Sequence, residues 1–215
     1  KPDLIVASKV RNEKQYEQLS KIAPTITHDT VYKFKDTTKM MGKALGKEDK
    51  ADELLKKYDD KVAQFQKDAK ATYGKEWPIS ASVVNFRPDH ARIYASGYAG
   101  DILHDLGFKR PEAQQKQVDK GKDIIQLTSK ESIPLMDADH IFMFKSDTTA
   151  KDAKLTKKTQ QEWTNSNQWK NLSAVKSDDV SDNVDEITWN MAGGYQSSLK
   201  LIDDLYQKLD IEKQS

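Results

Sequence analysis

The sequence predicts an α/β protein in which two α/β lobes are bridged by a long backbone helix. Residues 1–30 have the strand–helix–strand order that is typical of a parallel sheet, and residues 77–215 contain a larger mixture of strands and helices. Between them, residues 35–74 carry a helical pattern with almost no turn residues. Two lobes joined by one stiff helix favour the capture of a solute over chemistry.

The first lobe is expected to be represented only by its C-terminal part, residues 1–34. The apolar run Asp3–Ser8 predicts a buried parallel strand, Asn12–Ile22 a helix, and Thr25–Thr27 a second strand. A strand at the very first residues, with no partner strand before it, is typical of a truncated or processed chain.

Residues 35–76 form the predicted inter-lobe segment. A coiled coil is the alternative, but the apolar stripe does not continue beyond this element, which favours a single backbone helix. The stripe has the three-and-four spacing of one helix face and comprises Ala51, Leu54, Leu55, Tyr58, Val62, Phe65 and Ala69.

The second lobe, residues 77–215, opens with a predicted hairpin of two strands, Ser80–Phe86 and Ala91–Ala95. The pattern after the hairpin predicts a helix at Tyr98–Leu106 ended by Gly107, a helix at Ser129–Met136, a strand at His140–Phe144, a helix at Thr156–Leu172, an extended segment at Asp179–Val184 and a final helix at Ile187–Leu209.

Composition argues against several classes of protein. The 35 basic and 34 acidic side chains leave a net charge of +1, whereas a general nucleic-acid binder usually has a basic excess. The segment has no cysteine for disulfides, thiolate metal sites or a cysteine nucleophile, and no apolar run of transmembrane length. Common enzyme motifs are absent and the four histidines are scattered, so the sequence does not predict an enzyme.

A polar cluster on the predicted hairpin is the first candidate binding site. Arg92 and Tyr94 are two residues apart and share one strand face, while Arg87 and His90 lie in the connecting turn. Guanidinium groups bind carboxylates through paired hydrogen bonds, and a phenol adds a further donor. The cluster therefore suits an anionic ligand; the alternative is a solvated hairpin with structural ion pairs.

Three further positions are candidates for ligand contact. Arg11 follows the first predicted strand, and ligands of parallel α/β sheets gather beyond the carboxyl ends of strands; alternatively, it is a solvated side chain at a helix start. Trp189 and Asn190 precede the last part of the final helix, where they could grip a ligand by stacking and hydrogen bonding. The alternative is a buried tryptophan that fixes this helix, with Asn190 as its cap.

Glu131 is a candidate for a different role. It follows Thr128 by three residues, which is the spacing of a capping box. The other interpretation is an exposed acidic contact for a partner protein.

Taken in order, these segments resemble siderophore-binding lipoproteins of ABC iron importers, which are periplasmic binding proteins of class III. Lys1–Val6 with Leu19–Thr25 is similar to the end of their first lobe, and Asp49–Lys70 resembles their inter-lobe helix. Further landmarks of their second lobe match Ile93–Phe108, Gln126–Glu131 and Asp139–Phe142. The likeness covers all 215 residues and points to staphylococcal and bacillus receptors for citrate-based siderophores such as staphyloferrin B or schizokinen.

The resemblance implies a function. A ferric siderophore, whose iron is held by the siderophore rather than by the protein, binds between the lobes and is delivered to an ABC permease for iron uptake. The protein is expected to be a monomer without a cofactor or nucleic-acid partner, anchored to the extracellular face of a Gram-positive cell membrane through a lipidated cysteine outside this chain.

The resemblance also implies roles for individual residues. Glu131 corresponds to an acidic residue that docks on permease arginines. Ligand contacts are implied at Arg11, Tyr94 and Asn190, with Arg87, His90, Arg92 and Trp189 as neighbours.

Two alternatives stay open. The same fold could bind haem, cobalamin or a catecholate siderophore, and Tyr94 or His90 could then be an iron ligand of haem. A metal-dependent enzyme on two α/β lobes would need clustered histidines and carboxylates, which the sequence does not provide.

Overall fold

The computed structural model describes residues 2–190 and 193–214 and confirms the α/β class. The chain divides into two compact units, residues 1–55 and 56–215. Their boundary lies within a helix, and the predicted lobe limits 1–34, 35–76 and 77–215 stay predictions. None of the helices in the described residues is long and apolar enough to span a membrane.

The first unit contains a two-stranded parallel sheet. Strands β1 (Ile5–Ser8) and β2 (Thr25–His28) pair with Ile5 opposite Thr25, so both predicted strands and their parallel pairing are confirmed. Burial was predicted incorrectly, because β1 is only partly buried and Val6 is 41% exposed.

The crossover between these strands is less regular than the predicted helix Asn12–Ile22. It consists of α1 (Lys9–Asn12), a 3-10 turn and α2 (Tyr16–Ser20). The Asn12 side chain accepts a hydrogen bond from the Ser8 backbone and donates one to Gln15. Such local side-chain bonds compete with the backbone bonds of a continuous helix.

The predicted helix over 35–74 is two helices, α3 (Phe34–Leu45) and α4 (Glu48–Tyr73). Gly46 lies between them with φ of +59°, a left-handed conformation that glycine adopts readily and that ends α3. Helix α4 has 26 residues, and therefore a length of about 39 Å. Tyr58, Phe65 and Ala69 of the predicted apolar stripe have 0% exposure.

The second unit is built on a five-stranded mixed sheet with the order β5-β4-β3-β6-β7. Strand β3 pairs antiparallel with β4 and parallel with β6, and every one of its residues is buried. The predicted hairpin and the strand at 140–144 are confirmed, whereas β5 was not predicted. The strands are β3 (Ala81–Phe86), β4 (Ala91–Tyr94), β5 (Ile124–Leu127), β6 (His140–Lys145) and β7 (Val180–Ser181).

The helices of the second unit differ from the predicted ones at three places. The helix predicted at 156–172 ends early because the Ser166 side chain caps a new helix by accepting from the Trp169 backbone. The final helix is two helices, and residues 191–192 between them lie outside the described residues. The helix at 129–136 is a 3-10 helix, Lys130–Met136, with Pro134 inside it.

Helix α6 was not predicted from the sequence. The helices that follow α4 are α5 (Ala99–Asp105), α6 (Glu112–Val118), α7 (Ala150–Thr164), α8 (Asn167–Lys170), α9 (Ser173–Lys176), α10 (Glu186–Asn190) and α11 (Tyr195–Lys208).

The two faces of the five-stranded sheet have different character. Val84, Ile93 and Met143 face an apolar core that also contains Trp163 and Trp169. Because side chains alternate along a strand, the residues between them point to the opposite face. The register places Asn85 opposite both Arg92 of β4 and Phe144 of β6, so this second face combines polar and aromatic side chains.

Helices α4 and α11 are held together by a buried carboxylate. Asp68 has 0% exposure and accepts hydrogen bonds from the Tyr206 hydroxyl (2.7 Å), the Gln64 amide (2.8 Å) and the Gln214 backbone (3.1 Å). Burial alone would raise the pKa of Asp68, but these hydrogen bonds outweigh it and lower the pKa. The carboxylate is therefore ionised and fully engaged at neutral pH.

We expect Asp68→Asn to lower the free energy of unfolding by about 1.5–3 kcal/mol, because an amide cannot accept from all three donors. Urea unfolding of the purified protein measures this change. The control is Asp60→Asn on the same helix, whose exposed carboxylate pairs with Lys56 and whose loss should change stability by less than about 0.5 kcal/mol. Equal effects of the two substitutions would contradict the structural role of Asp68.

Candidate ligand-binding site

The hairpin of β3 and β4 places four of the predicted residues together in the second unit. The turn is closed by the Arg87 backbone N–H, which donates to the His90 carbonyl at 2.9 Å. Arg92 and Tyr94 then follow on one face of β4, as predicted, and this is the polar face of the sheet.

Tyr94 is the centre of a hydrogen-bond network on this face. Its side chain is 5% exposed, and its hydroxyl oxygen accepts from Asn85 Nδ2 at 3.0 Å. The same hydroxyl donates to Asn190 Oδ1 at 2.8 Å, which joins the hairpin to the last residue of α10. Asn190 thus meets Tyr94, as expected if both belong to one site.

The protonation of Tyr94 follows from its surroundings. Burial raises the pKa of its phenol, while the hydrogen bond from Asn85 and the charges of Arg87 and Arg92 act in the opposite direction without cancelling it. The phenol is therefore neutral at physiological pH and is available as a hydrogen-bond donor.

Arg92 is oriented by His90. Its Nε donates to His90 Nε2 at 3.1 Å, so Nε2 is unprotonated and the ring hydrogen lies on Nδ1. That Nδ1 is 2.6 Å from an oxygen of Asp89, to which it donates. The hydrogen bond from His90 lowers the pKa of Asp89. Both ring nitrogens of His90 are thus used within the hairpin, which favours a role in orienting Arg92.

Arg87 supplies a second positive charge. Among the described residues, no hydrogen bond or ion pair engages its guanidinium group, and its charge acts on Tyr94. The two arginines and the neutral phenol together offer donors and positive charge to an incoming anion.

Aromatic rings hold Tyr94 in place. Tyr98 stacks on it with ring centroids 5.4 Å apart, and Phe144 meets it edge-on at 5.8 Å. Tyr98 has φ of +49°, an uncommon conformation for a residue other than glycine. The first turn of α5 lies against the end of β4. Gly100 is needed there, because the Cβ of any other residue would clash with the Tyr94 carbonyl oxygen.

Sequence reasoning did not assign Asn85 or Tyr98 to the site. Asn85 could have been noticed as a single amide within the otherwise apolar run Val83–Phe86 of a central strand. Tyr98 offered no comparable signal, because its position depends on the backbone conformation between β4 and α5.

Trp189 has a structural environment. The ring is fully buried, packs against Phe142 at 4.7 Å and donates from Nε1 to Asp204 Oδ2 at 2.6 Å. This arrangement favours the alternative of a buried tryptophan that fixes the final helices. Because the Trp189 ring has no exposed surface, its predicted contact with a ligand gains no support from the structure.

Arg11 and Glu131 lie apart from this network in the chain. Arg11 belongs to the first unit, where it is exposed on α1 directly after the carboxyl end of β1. Glu131 is exposed in the first turn of the 3-10 helix. A hydrogen bond with the Ser129 hydroxyl lowers the pKa of Glu131. The predicted capping box with Thr128 does not form, because the 3-10 helix begins at Lys130, one residue later than such a box requires.

The side chains do not form an evident metal centre. Within residues 2–190 and 193–214, no group of three or more histidines and carboxylates is arranged to hold a metal ion.

The sequence profile of the periplasmic binding proteins matches residues 1–183. This chain belongs to the periplasmic binding protein family. The family predicted from the sequence is therefore confirmed, and with it the α/β fold.

Solved structures and curated proteins of this family include clear relatives. The chain is 77% identical to Staphylococcus aureus SirA in its crystal structure with staphyloferrin B, with a TM-score of 0.96 over 100% of this chain and 73% of the SirA chain. It is 41% identical over 209 residues to the probable siderophore-binding lipoprotein YfiY of Bacillus subtilis. It is 32% identical over 206 residues to the achromobactin-binding periplasmic protein of Dickeya dadantii. The matches to YfiY and to the Dickeya protein each cover 95% of this chain, which spans 62% of YfiY and 65% of the Dickeya protein.

The environment of Trp189 gives a stability prediction. Trp189→Phe should lower the free energy of unfolding by about 1–3 kcal/mol, because it removes the hydrogen bond to Asp204 and leaves space around a smaller ring. The matched control on the same helix is Ile187→Ala, since Ile187 is 73% exposed and should change stability by less than about 0.5 kcal/mol. Thermal or urea unfolding compares the two, and an unchanged stability of Trp189→Phe would show that the tryptophan has no structural role.

Proposed function

We propose that this protein binds a ferric siderophore of the carboxylate type at the cell surface and delivers it to an ABC permease for iron uptake. In this function it is a binding protein and not an enzyme. The siderophore holds the iron, and the protein contacts the oxygen atoms of the siderophore.

One arrangement supports this function most directly. The neutral Tyr94 hydroxyl donates to Asn190 beside the guanidinium groups of Arg87 and Arg92. Guanidinium forks and a phenol donor match the geometry of carboxylate oxygens, and together they favour an anion over a neutral solute. Arg92 is already oriented by His90, so less conformational freedom is lost when a ligand binds.

The relatives support the class of ligand. SirA is known with staphyloferrin B, YfiY is a probable siderophore-binding lipoprotein and the Dickeya protein binds achromobactin. We extend siderophore binding to this chain, with Arg11 of the first unit as a further contact. By the same reasoning we propose a monomer that is anchored to the outer face of the membrane through a lipidated cysteine.

Delivery to a permease is the second half of the proposal. Glu131 is exposed, and the hydrogen bond from Ser129 lowers the pKa of its carboxyl group, which is ionised at neutral pH. An exposed negative charge at the start of a short helix suits contact with an arginine of the permease.

The test of capture uses the purified protein and ferric staphyloferrin B, followed by quenching of tryptophan fluorescence. We expect Tyr94→Phe and Arg92→Ala each to weaken binding by about 10-fold to 150-fold, because each removes a hydrogen bond to a charged acceptor. Arg92→Lys keeps the charge but loses the planar fork, and should lie between Arg92→Ala and the parent protein.

Two controls define the outcome of this test. Lys120→Ala removes an exposed positive charge elsewhere in the second unit and should leave affinity unchanged within about twofold. Ferric haem and a ferric catecholate complex serve as comparison ligands, which should bind more weakly. Parent affinity in both Tyr94→Phe and Arg92→Ala, or a preference for haem, would contradict the proposal.

Delivery is tested separately in cells. Glu131→Gln should leave the affinity for ferric staphyloferrin B unchanged and reduce iron uptake modestly, by about twofold to fivefold, because a single exposed charge pair contributes little. Glu112→Gln is the matched control, since Glu112 is also exposed at a helix start but pairs with Lys116. Reduced affinity with normal uptake per bound complex would assign Glu131 to the fold or the ligand site instead.

A further inference from the structure

Asn85 is an unusual residue for its position. It lies in the central strand β3 with 0% exposure, and its neighbours Val84 and Phe86 are completely buried. Burying an amide is unfavourable unless hydrogen bonds compensate the loss of water. The bonds that Asn85 makes therefore indicate why an amide occupies this position.

Among the residues that the structure describes, the amide has one side-chain partner, Tyr94. Asn85 Nδ2 donates to the Tyr94 hydroxyl oxygen at 3.0 Å, while Asn85 Oδ1 is buried without a hydrogen-bond partner in the described residues. An amide that served the fold alone would be expected to satisfy its carbonyl oxygen as well.

This bond fixes the direction in which Tyr94 can donate. A phenol has one hydrogen and can also accept through its oxygen. Since the oxygen accepts from Asn85, the hydrogen points away from Asn85 and toward an acceptor, which is Asn190 Oδ1 at 2.8 Å. The ring itself is held by Tyr98 and Phe144, so rotation of the hydroxyl is the main freedom that remains.

We infer that Asn85 is a positioning residue that makes Tyr94 a hydrogen-bond donor toward an anionic ligand. Without ligand the donated hydrogen goes to Asn190, and a ligand carboxylate takes the place of Asn190 as the acceptor. The identity of this acceptor rests on the proposed function. The orientation of Tyr94 by Asn85 does not, and it can be measured without a ligand.

The first experiment is a double-mutant cycle on the affinity for ferric staphyloferrin B. Asn85→Leu replaces the amide by an apolar group of similar volume and should weaken binding about 5-fold to 20-fold. In the Tyr94→Phe background the same substitution should change affinity by less than about twofold, since the hydroxyl that it positions is gone. An equal loss in both backgrounds, or no loss in either, would overturn the inference.

The second experiment needs no ligand. The protein is labelled with carbon-13 at the tyrosine ζ position, and the Tyr94 resonance is identified by its absence in Tyr94→Phe. This resonance should shift in Asn85→Leu, because the hydroxyl oxygen no longer accepts a hydrogen bond. If the parent protein does not bind ferric staphyloferrin B, the proposed function fails while this measurement still decides the role of Asn85; an unshifted resonance overturns it.

Two further variants separate positioning from a general effect on the strand. Ser82→Ala removes another buried polar group of β3, which accepts from Gln114 on the opposite face of the sheet. It should lower stability but change neither the affinity nor the Tyr94 resonance. Asn85→Val, with a side chain that suits a strand, replaces Asn85→Leu if the latter does not fold.

Discussion

The register of β3 between β4 and β6 is the constraint on which the rest of the second unit depends. It directs Val84, Ile93 and Met143 to the apolar core and Asn85, Arg92 and Tyr94 to the other face. A shift of β3 by one residue would exchange its own two faces and turn the Asn85 amide into the apolar core. Every residue of β3 is buried and paired with β6, and Val84–Phe86 also pair with β4, so such a shift would bury an amide without compensating hydrogen bonds.

The polar face is arranged so that its charges are compensated only in part. His90 uses both ring nitrogens, on Arg92 and on Asp89, whose exposed carboxylate also has its pKa lowered by the charge of Arg92. The charges of Arg87 and Arg92 also act on the Tyr94 phenol, which stays neutral because burial raises its pKa despite them. The half-buried Arg87 and Arg92 thus present hydrogen-bond donors and positive charge, which a bound anion would compensate.

The sequence predicted those features that depend on local pattern. The β3–β4 hairpin follows from two strand-like runs joined by the turn at residues 87–90, and the shared face of Arg92 and Tyr94 follows from strand geometry alone. Breaks in helices were not predicted where they depend on a hydrogen bond of one side chain, as at Asn12 and Ser166. Tyr94 and Asn190 are 96 residues apart, so no local sequence pattern predicts their contact. Only the resemblance to a family led to the expectation that both belong to one site.

In the proposed function, the residues assigned to capture and the residue assigned to delivery lie on different faces of one sheet. Ile133 and Met136 anchor the 3-10 helix of Glu131 in the apolar core, whereas Tyr94 and Asn85 lie on the other side of β3 and β4. The carboxylate of Glu131 takes its hydrogen bond from Ser129, and none of the hydrogen bonds around Tyr94 includes either residue. A change of charge at the proposed docking position can therefore leave the proposed ligand contacts intact. Buried cores are close-packed and resist deformation, so under this proposal a permease that engages Glu131 would act on the second unit as a rigid body.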